Sequence, residues 1–215
     1  MSVGRCLFDL ILLLHMHLHA LSTGEVTAAS YVPLWAADML TPTTATADAV
    51  RNSLPSAAYN LSAILVSLQS SQLLQIGGLL TSTEQTGQQW DFPNSWPPLV
   101  FMIQQGLLKT SLQSLQDFPT QSSQNLAADM ARNISDLWLA TNYAGYSNTS
   151  YMFEKYDAMI YGGGGGGGEY TPQVGFGWTN GVALALLNQT YSAIPPPPIA
   201  PNAAPNDDAG LSLGA

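Results

Sequence analysis

The chain has 215 residues, 46 % of them apolar and only 9 % charged, and its five basic residues stand against fourteen acidic ones for a net charge of −9. That length and apolar content suffice for one globular domain with its own core, while the negative balance excludes binding driven by phosphate contacts to nucleic acid or to an anionic lipid surface. A neutral small molecule is the better-matched ligand, and a single cysteine, Cys6, excludes an intramolecular disulfide framework.

Met1 to Ser22 carries Arg5, an apolar run from Cys6 to Leu14 and the small residues Ala20 and Ser22, the layout of a secretory signal peptide. Asp9 interrupts the run, and the run is too short to span a bilayer. With a signal the protein is secreted or extracellular; without one it is cytoplasmic. No transmembrane anchor is expected elsewhere. His15, His17 and His19 alternate, which on a strand would put three imidazoles on one face. No carboxylate or cysteine stands near them to complete a zinc site, so no metal and no cofactor is assigned.

Apolar residues recur at helical spacing from Ala45 to Gln75, as in Leu61, Ile64, Leu65 and Leu68, with Pro55 dividing the stretch into two helices and Gly77-Gly78 ending the second. Thr81 to Trp96 lacks periodicity and is expected to be a long functional loop. Pro97 and Pro98 suit the first turn of a helix, whose buried stripe is Leu99, Ile103, Leu107, Leu108, Leu112 and Leu115. After a turn at Asp117-Phe118-Pro119, a helix from about Ser122 to Ala140 presents Leu126, Met130, Ile134, Leu137 and Trp138.

A second long loop runs from Tyr151 through the seven glycines Gly162 to Gly168, and a last helix spans Val182 to Tyr191. The glycines lack the preceding strand that a nucleotide cradle needs. With no alternating strand pattern, the fold class is all-α, built from paired helices. From Ser192 to Ala215 the prolines Pro195 to Pro198, Pro201 and Pro205 mark a disordered tail. Asn60, Asn133, Asn148 and Asn188 each begin a glycosylation triplet, which makes a secreted chain a glycoprotein.

Three stretches together resemble the trehalase family: Ala28-Ala29-Ser30-Tyr31-Val32-Pro33-Leu34-Trp35; Gln88-Gln89-Trp90-Asp91-Phe92-Pro93-Asn94-Ser95-Trp96-Pro97-Pro98; and Met152-Phe153-Glu154-Lys155-Tyr156-Asp157 followed, after the glycines, by Glu169-Tyr170 and Gly175-Phe176-Gly177-Trp178-Thr179-Asn180-Gly181-Val182. The resemblance places a trehalase-like catalytic domain, its C-terminal part, over residues 28–191. Leu7-Phe8-Asp9-Leu10-Ile11-Leu12 is also similar to a degraded family segment, a rival to the signal reading. It implies part of an (α/α)6 toroid of helical hairpins and hydrolysis of α,α-trehalose to two glucoses with inversion.

Inversion takes a carboxylic acid to protonate the leaving oxygen and a carboxylate to activate water, roughly 6.5–9.5 Å apart. Glu154 and Glu169 flank the glycines, and on chemistry alone either could be the base. The resemblance assigns the base to Glu154 and a sugar contact to Glu169. Trp90 suits stacking on a sugar face, and Gln88, Asp91 and Asn94 offer hydrogen bonds to hydroxyls; Trp96 and Trp178 are expected to wall the pocket or fill core.

The family's general acid lies in a Trp-Asp-x-Ser-x-Arg segment that this sequence lacks, as it lacks a Pro-Gly-Gly-Arg-Phe segment, and none of Arg5, Arg51 and Arg132 falls in a matched motif. The chain is therefore expected to be truncated, with the base and without the acid; a truncated gene model, a pseudogene product and a piece that needs a partner chain for the missing half are the alternatives. The other reading is a non-catalytic trehalose-binding or regulatory protein.

Overall fold

In a computed structural model, residues 26–40, 61–112 and 121–191 are described. Among the described residues, a 3₁₀ turn, Ala28–Tyr31, precedes five helices: α1 (Pro33–Leu40), α2 (Leu61–Ser70), α3 (Pro97–Leu112), α4 (Gln121–Thr149) and α5 (Gly177–Tyr191). Four two-residue strands form two antiparallel ladders, β1 (Leu74–Gln75) with β2 (Gly78–Leu79) and β3 (Asn94–Ser95) with β4 (Tyr156–Asp157). The all-α class holds. The expected signal, the segment around Pro55, the turn at Asp117 and the proline-rich tail lie outside the described residues.

Helix α3 is the hub: it packs along α4 and also carries α1 and α5. Its prolines at the first two positions have no N–H to lose there, and the carbonyl of Trp96 accepts from the N–H of Leu99 and of Val100, both at 3.1 Å, to start the spiral. Ile103 and Leu107 face inward as the spacing requires and Val100 joins them, whereas Leu99 and Leu108 are only half-buried and Leu112 is 75 % exposed. Buried Gln104 donates to Gln189 of α5 at 3.4 Å.

Helix α4 runs nine residues past the expected end at Ala140 because its inner stripe continues in small and polar residues. Thr141, Asn142 and Gly145 are buried, and the Thr141 hydroxyl receives the N–H of Gly162 at 2.7 Å, so this last part of α4 packs on the glycine run. It ends where Ser150 turns left-handed, φ 62°, with its N–H on the carbonyl of Tyr146 at 2.7 Å.

Helix α2 stops at Ser70, earlier than the expected end at Gly77-Gly78. Leu73, Leu79 and Leu80 reach the core from the β1–β2 hairpin instead, and the hairpin's Gly77 N–H bonds the carbonyl of Ala158 at 2.8 Å. Helix α5 begins five residues before the expected start at Val182. Thr179, Val182, Ala183 and Leu186 form its buried face.

The core joins Tyr31, Leu65, Leu68, Ile103, Leu107, Met130, Ile134 and Trp138. Trp138 lies edge-on to Tyr156 at 5.1 Å between ring centroids, so β4 is seated directly on α4. This is what holds the two long loops against the helical layer.

Candidate functional site

The β3–β4 ladder brings the two chief sequence motifs together: Asn94 pairs with Asp157 and Ser95 with Tyr156. One ladder residue lies just before Trp96 and the other just after Lys155, so each motif is carried to the other by backbone hydrogen bonds. The carbonyl of Pro93 accepts from the N–H of Ala158 at 2.8 Å and extends the pairing.

Glu154 sits two residues before this ladder and is 5 % exposed. Its backbone N–H donates to the carbonyl of Gln173 at 2.9 Å. The Trp178 indole N–H donates to its carbonyl at 2.8 Å, and the Thr179 hydroxyl to the carbonyl of Phe153 at 2.7 Å. The first turn of α5 thus fixes the backbone on which the carboxylate stands. Both carboxylate oxygens accept: Oε1 from the Tyr170 hydroxyl at 3.1 Å, and Oε2 from the N–H of Gln173 at 2.9 Å. A carboxylate held by two donors has a fixed direction and keeps lone pairs for a third, the requirement for a group that receives a proton from water.

Trp178, which bonds the backbone carbonyl of Glu154, belongs to a cluster of aromatic rings. Trp90 and Trp96 stack at 4.0 Å between centroids and 10° between planes, and Trp178 stands edge-on to Trp96 at 5.3 Å with Phe176 against it at 4.5 Å. Trp96 is 1 % exposed and donates its indole N–H to the carbonyl of Gln89 at 2.8 Å, whereas Trp90 is 44 % exposed. Buried Trp96 is the wall and Trp90 the open face.

The polar residues of the first motif divide in two. Both oxygens of Asp91 accept hydroxyls of its own loop, Oδ1 from Ser82 at 2.9 Å and Oδ2 from Thr86. Asn94 is 1 % exposed, and its amide is engaged at both ends: Nδ2 donates to the carbonyl of Asp91 at 3.1 Å and Oδ1 accepts the N–H of Gly166 at 3.0 Å. Gln88 and Glu169 are exposed, and neither side chain is drawn against Glu154.

The glycine run is a fitted strap. A Cβ at Gly165 would meet Asn94 Oδ1 at 2.6 Å, and one at Gly167, where φ is +74°, would meet the carbonyl of Gly87 at 2.7 Å. Only glycine passes here. Gly165 and Gly168 donate to the carbonyls of Lys155 and Gly87 at 2.9 and 3.0 Å, which ties the strap to both motifs.

Three participants had no role from the sequence. Tyr170 and the backbone of Gln173 meet Glu154 from sixteen and nineteen residues away, a contact no local pattern encodes. Lys155 is 0 % exposed, with Nζ 5.2 Å from the centroid of Trp96 and 5.7 Å from that of Tyr170. Burial lowers its pKa below the lysine value, against the opposing charge of Glu154. The signal for it was its place beside Glu154 in a chain with only five basic residues. Burial, together with the hydrogen bond to Glu154, raises the Tyr170 pKa. Among the described residues, no group of three or more His, Cys, Asp or Glu is placed to hold a metal, and no helix is long and apolar enough to cross a membrane.

The family model described as Trehalase matches residues 18–191. Among curated relatives, a "Probable trehalase" of Oryza sativa subsp. japonica is 44 % identical over 126 residues, which is 59 % of this chain and 20 % of that protein. A "Trehalase" of Apis mellifera is 43 % identical over 117 residues, 54 % of this chain and 17 % of the relative, and one of Homo sapiens 47 % identical over 112 residues, 52 % and 17 %. The matched part of the chain thus corresponds to a fifth or less of the length of each of these three relatives.

Proposed function

Because the chain belongs to the trehalase family, we propose that it contributes the base side of an inverting glycoside hydrolase acting on α,α-trehalose, with Glu154 as general base. The observation that carries this reading is the Glu154 carboxylate itself, buried, with each oxygen held by a donor from the far side of the glycine strap, and with its backbone carbonyl bonded to Trp178, which stands edge-on to the Trp90–Trp96 stack. Trp90 offers an open ring face to a sugar, and exposed Gln88 and Glu169 offer it polar atoms. Asp91 and Asn94 support the site from behind: their polar atoms are spent on the loop and the strap.

An inverting hydrolase also needs an acid across the scissile bond, and Asp91, held by Ser82 and Thr86, is not free to approach a leaving oxygen. The engagement of Asp91 favours a second reading in which this chain binds trehalose without splitting it, as a truncated relative. Secretion belongs to the same proposal, and the exposure of Asn133, Asn148 and Asn188 supports glycosylation there.

The deciding experiment measures glucose release from trehalose by the purified chain and by Glu154→Gln, beside trehalose binding by calorimetry. Release abolished by Glu154→Gln establishes the hydrolase and means that another carboxylate supplies the proton. Binding without release establishes the second reading. Neither binding nor release from a helical protein refutes both.

A further inference from the structure

Lys155 is a buried cation that the chemistry above leaves without a task. A side chain filling that space need not be charged: an apolar one of equal length would avoid the desolvation cost, and replacing a buried charge in this way is often neutral or stabilising. The lowered pKa says that burial outweighs what the neighbouring carboxylate returns. What the charge touches is specific. Nζ donates to the carbonyl of Gly167 at 3.3 Å and lies over the rings of Trp96 and Tyr170. Two of these three contacts fall on residues 167–170, where the strap turns toward Glu154. Tyr170 then donates to Oε1, and three residues later the N–H of Gln173 donates to Oε2.

We propose that Lys155 is a positioning residue whose ammonium, clasped between Trp96 and Tyr170 and bonded to Gly167, holds the end of the glycine strap so that Tyr170 and Gln173 orient the Glu154 carboxylate. The inference rests on Glu154 being the base, and it deepens that reading. Lys155 reaches no substrate; it acts through Tyr170. The attraction of an ammonium to two ring faces is directional enough to select one placement of Tyr170, which a methionine of similar volume cannot do.

The test compares the full chain with Lys155→Met and Lys155→Arg by amide hydrogen exchange and thermal melting. In Lys155→Met, exchange at Gln173 and Gly168 should accelerate by about tenfold or more, as expected for local opening, while the Ala131 amide of α4 keeps its rate and the melting temperature is unchanged or higher. Lys155→Arg, which keeps the charge, should retain slow exchange at both positions. Unchanged exchange in Lys155→Met, protection lost equally in Lys155→Arg, or acceleration shared by Ala131 with a lower melting temperature would each overturn the proposal. Should Lys155→Met not fold, nuclear Overhauser contacts of the Lys155 ammonium in the unaltered chain decide it: contacts to both rings support the clasp, and a freely exchanging ammonium without them overturns it. Glucose release does not enter these readouts, so the failure of the hydrolase reading and of this one are separately visible.

Discussion

Replacing Asn94 by alanine separates a sugar contact from a brace. The side chain is 1 % exposed and makes two hydrogen bonds, Nδ2 to the Asp91 carbonyl at 3.1 Å and Oδ1 from the Gly166 N–H at 3.0 Å. Alanine removes both, but the Asp91 carbonyl keeps the backbone N–H of residue 94 at 2.9 Å and the Gly166 N–H is exposed to water, so each lost bond counts at its net worth of about 0.5–1.5 kcal/mol. Asn94→Ala should destabilise the chain by roughly 1–3 kcal/mol, which for a domain of this size lowers the melting temperature by about 2–12 °C. Urea unfolding followed by circular dichroism measures the loss, and exchange at the Gly166 amide should rise with it. Asn94→Asp keeps the acceptor for Gly166 and loses the donor to Asp91, so it should fall between alanine and the native residue. A change below about 0.5 kcal/mol in Asn94→Ala, the range of ordinary surface substitutions, combined with weaker trehalose binding would refute the brace and return Asn94 to the sugar site.

Two further outcomes follow from the same geometry. Trp90→Ala removes one ring of the Trp90–Trp96 stack, a pair worth about 0.5–1.5 kcal/mol; with Trp90 half-exposed the stability loss should stay near or below 1 kcal/mol, the near-ultraviolet circular dichroism of the stacked indoles should collapse, and calorimetric trehalose affinity should drop by about tenfold or more. Full affinity in Trp90→Ala would exclude that ring from the site. Alkaline stability has a worked sign: Lys155 is lowered from 10.5 by burial, so between its folded value and 10.5 the unfolded chain binds a proton that the folded chain has released, and stability rises with pH across that window. Tyr156 and Tyr170 are raised above 10.0, both chiefly by burial, so from about there upward the folded chain keeps protons the unfolded one has lost, and stability falls. Denaturant midpoints from pH 8 to 11 should show the rise in the native chain and not in Lys155→Met; a rise of equal size in both would place its origin elsewhere.

The helices were legible where apolar spacing carried them. Ile103, Leu107, Met130, Ile134 and Trp138 were assigned to the inner face from periodicity and are buried. The reading failed where the buried stripe changes chemistry. Past Ala140 the inner face of α4 is Thr141, Asn142 and Gly145, which carry no apolar periodicity: Thr141 bonds the strap at Gly162, Asn142 bonds the Trp138 carbonyl of its own helix, and Gly145 makes room for the Gly162 carbonyl and the rings of Phe153 and Tyr156. Around Leu73 to Leu80 it failed for the opposite reason: four leucines close together imitate a helix end, yet the positive φ of Gln72 and Gly78 folds them into a hairpin.

At the site, resemblance supplies residue types and positions, but whether a polar atom is available to a ligand depends on what else reaches it. Asp91 and Asn94 stand in the same motif as Trp90 and Gln88. Ser82 and Thr86 occupy the first and Gly166 the second, from five to seventy-two residues away. Trp90 and Gln88 keep their exposure because nothing in the strap covers them. Lys155 and Tyr170 belong to the same motif as Glu154, although composition and spacing give them no role: Lys155 is defined by its bond to the strap at Gly167 and Tyr170 by its hydrogen bond to Glu154. The seven glycines are therefore the element that sorts the rest. Their lack of side chains lets backbone groups of residues 165–168 approach Asn94, Lys155 and Gly87 closely enough to bond, and the carboxylate of Glu154 receives its two donors from the chain that follows those glycines.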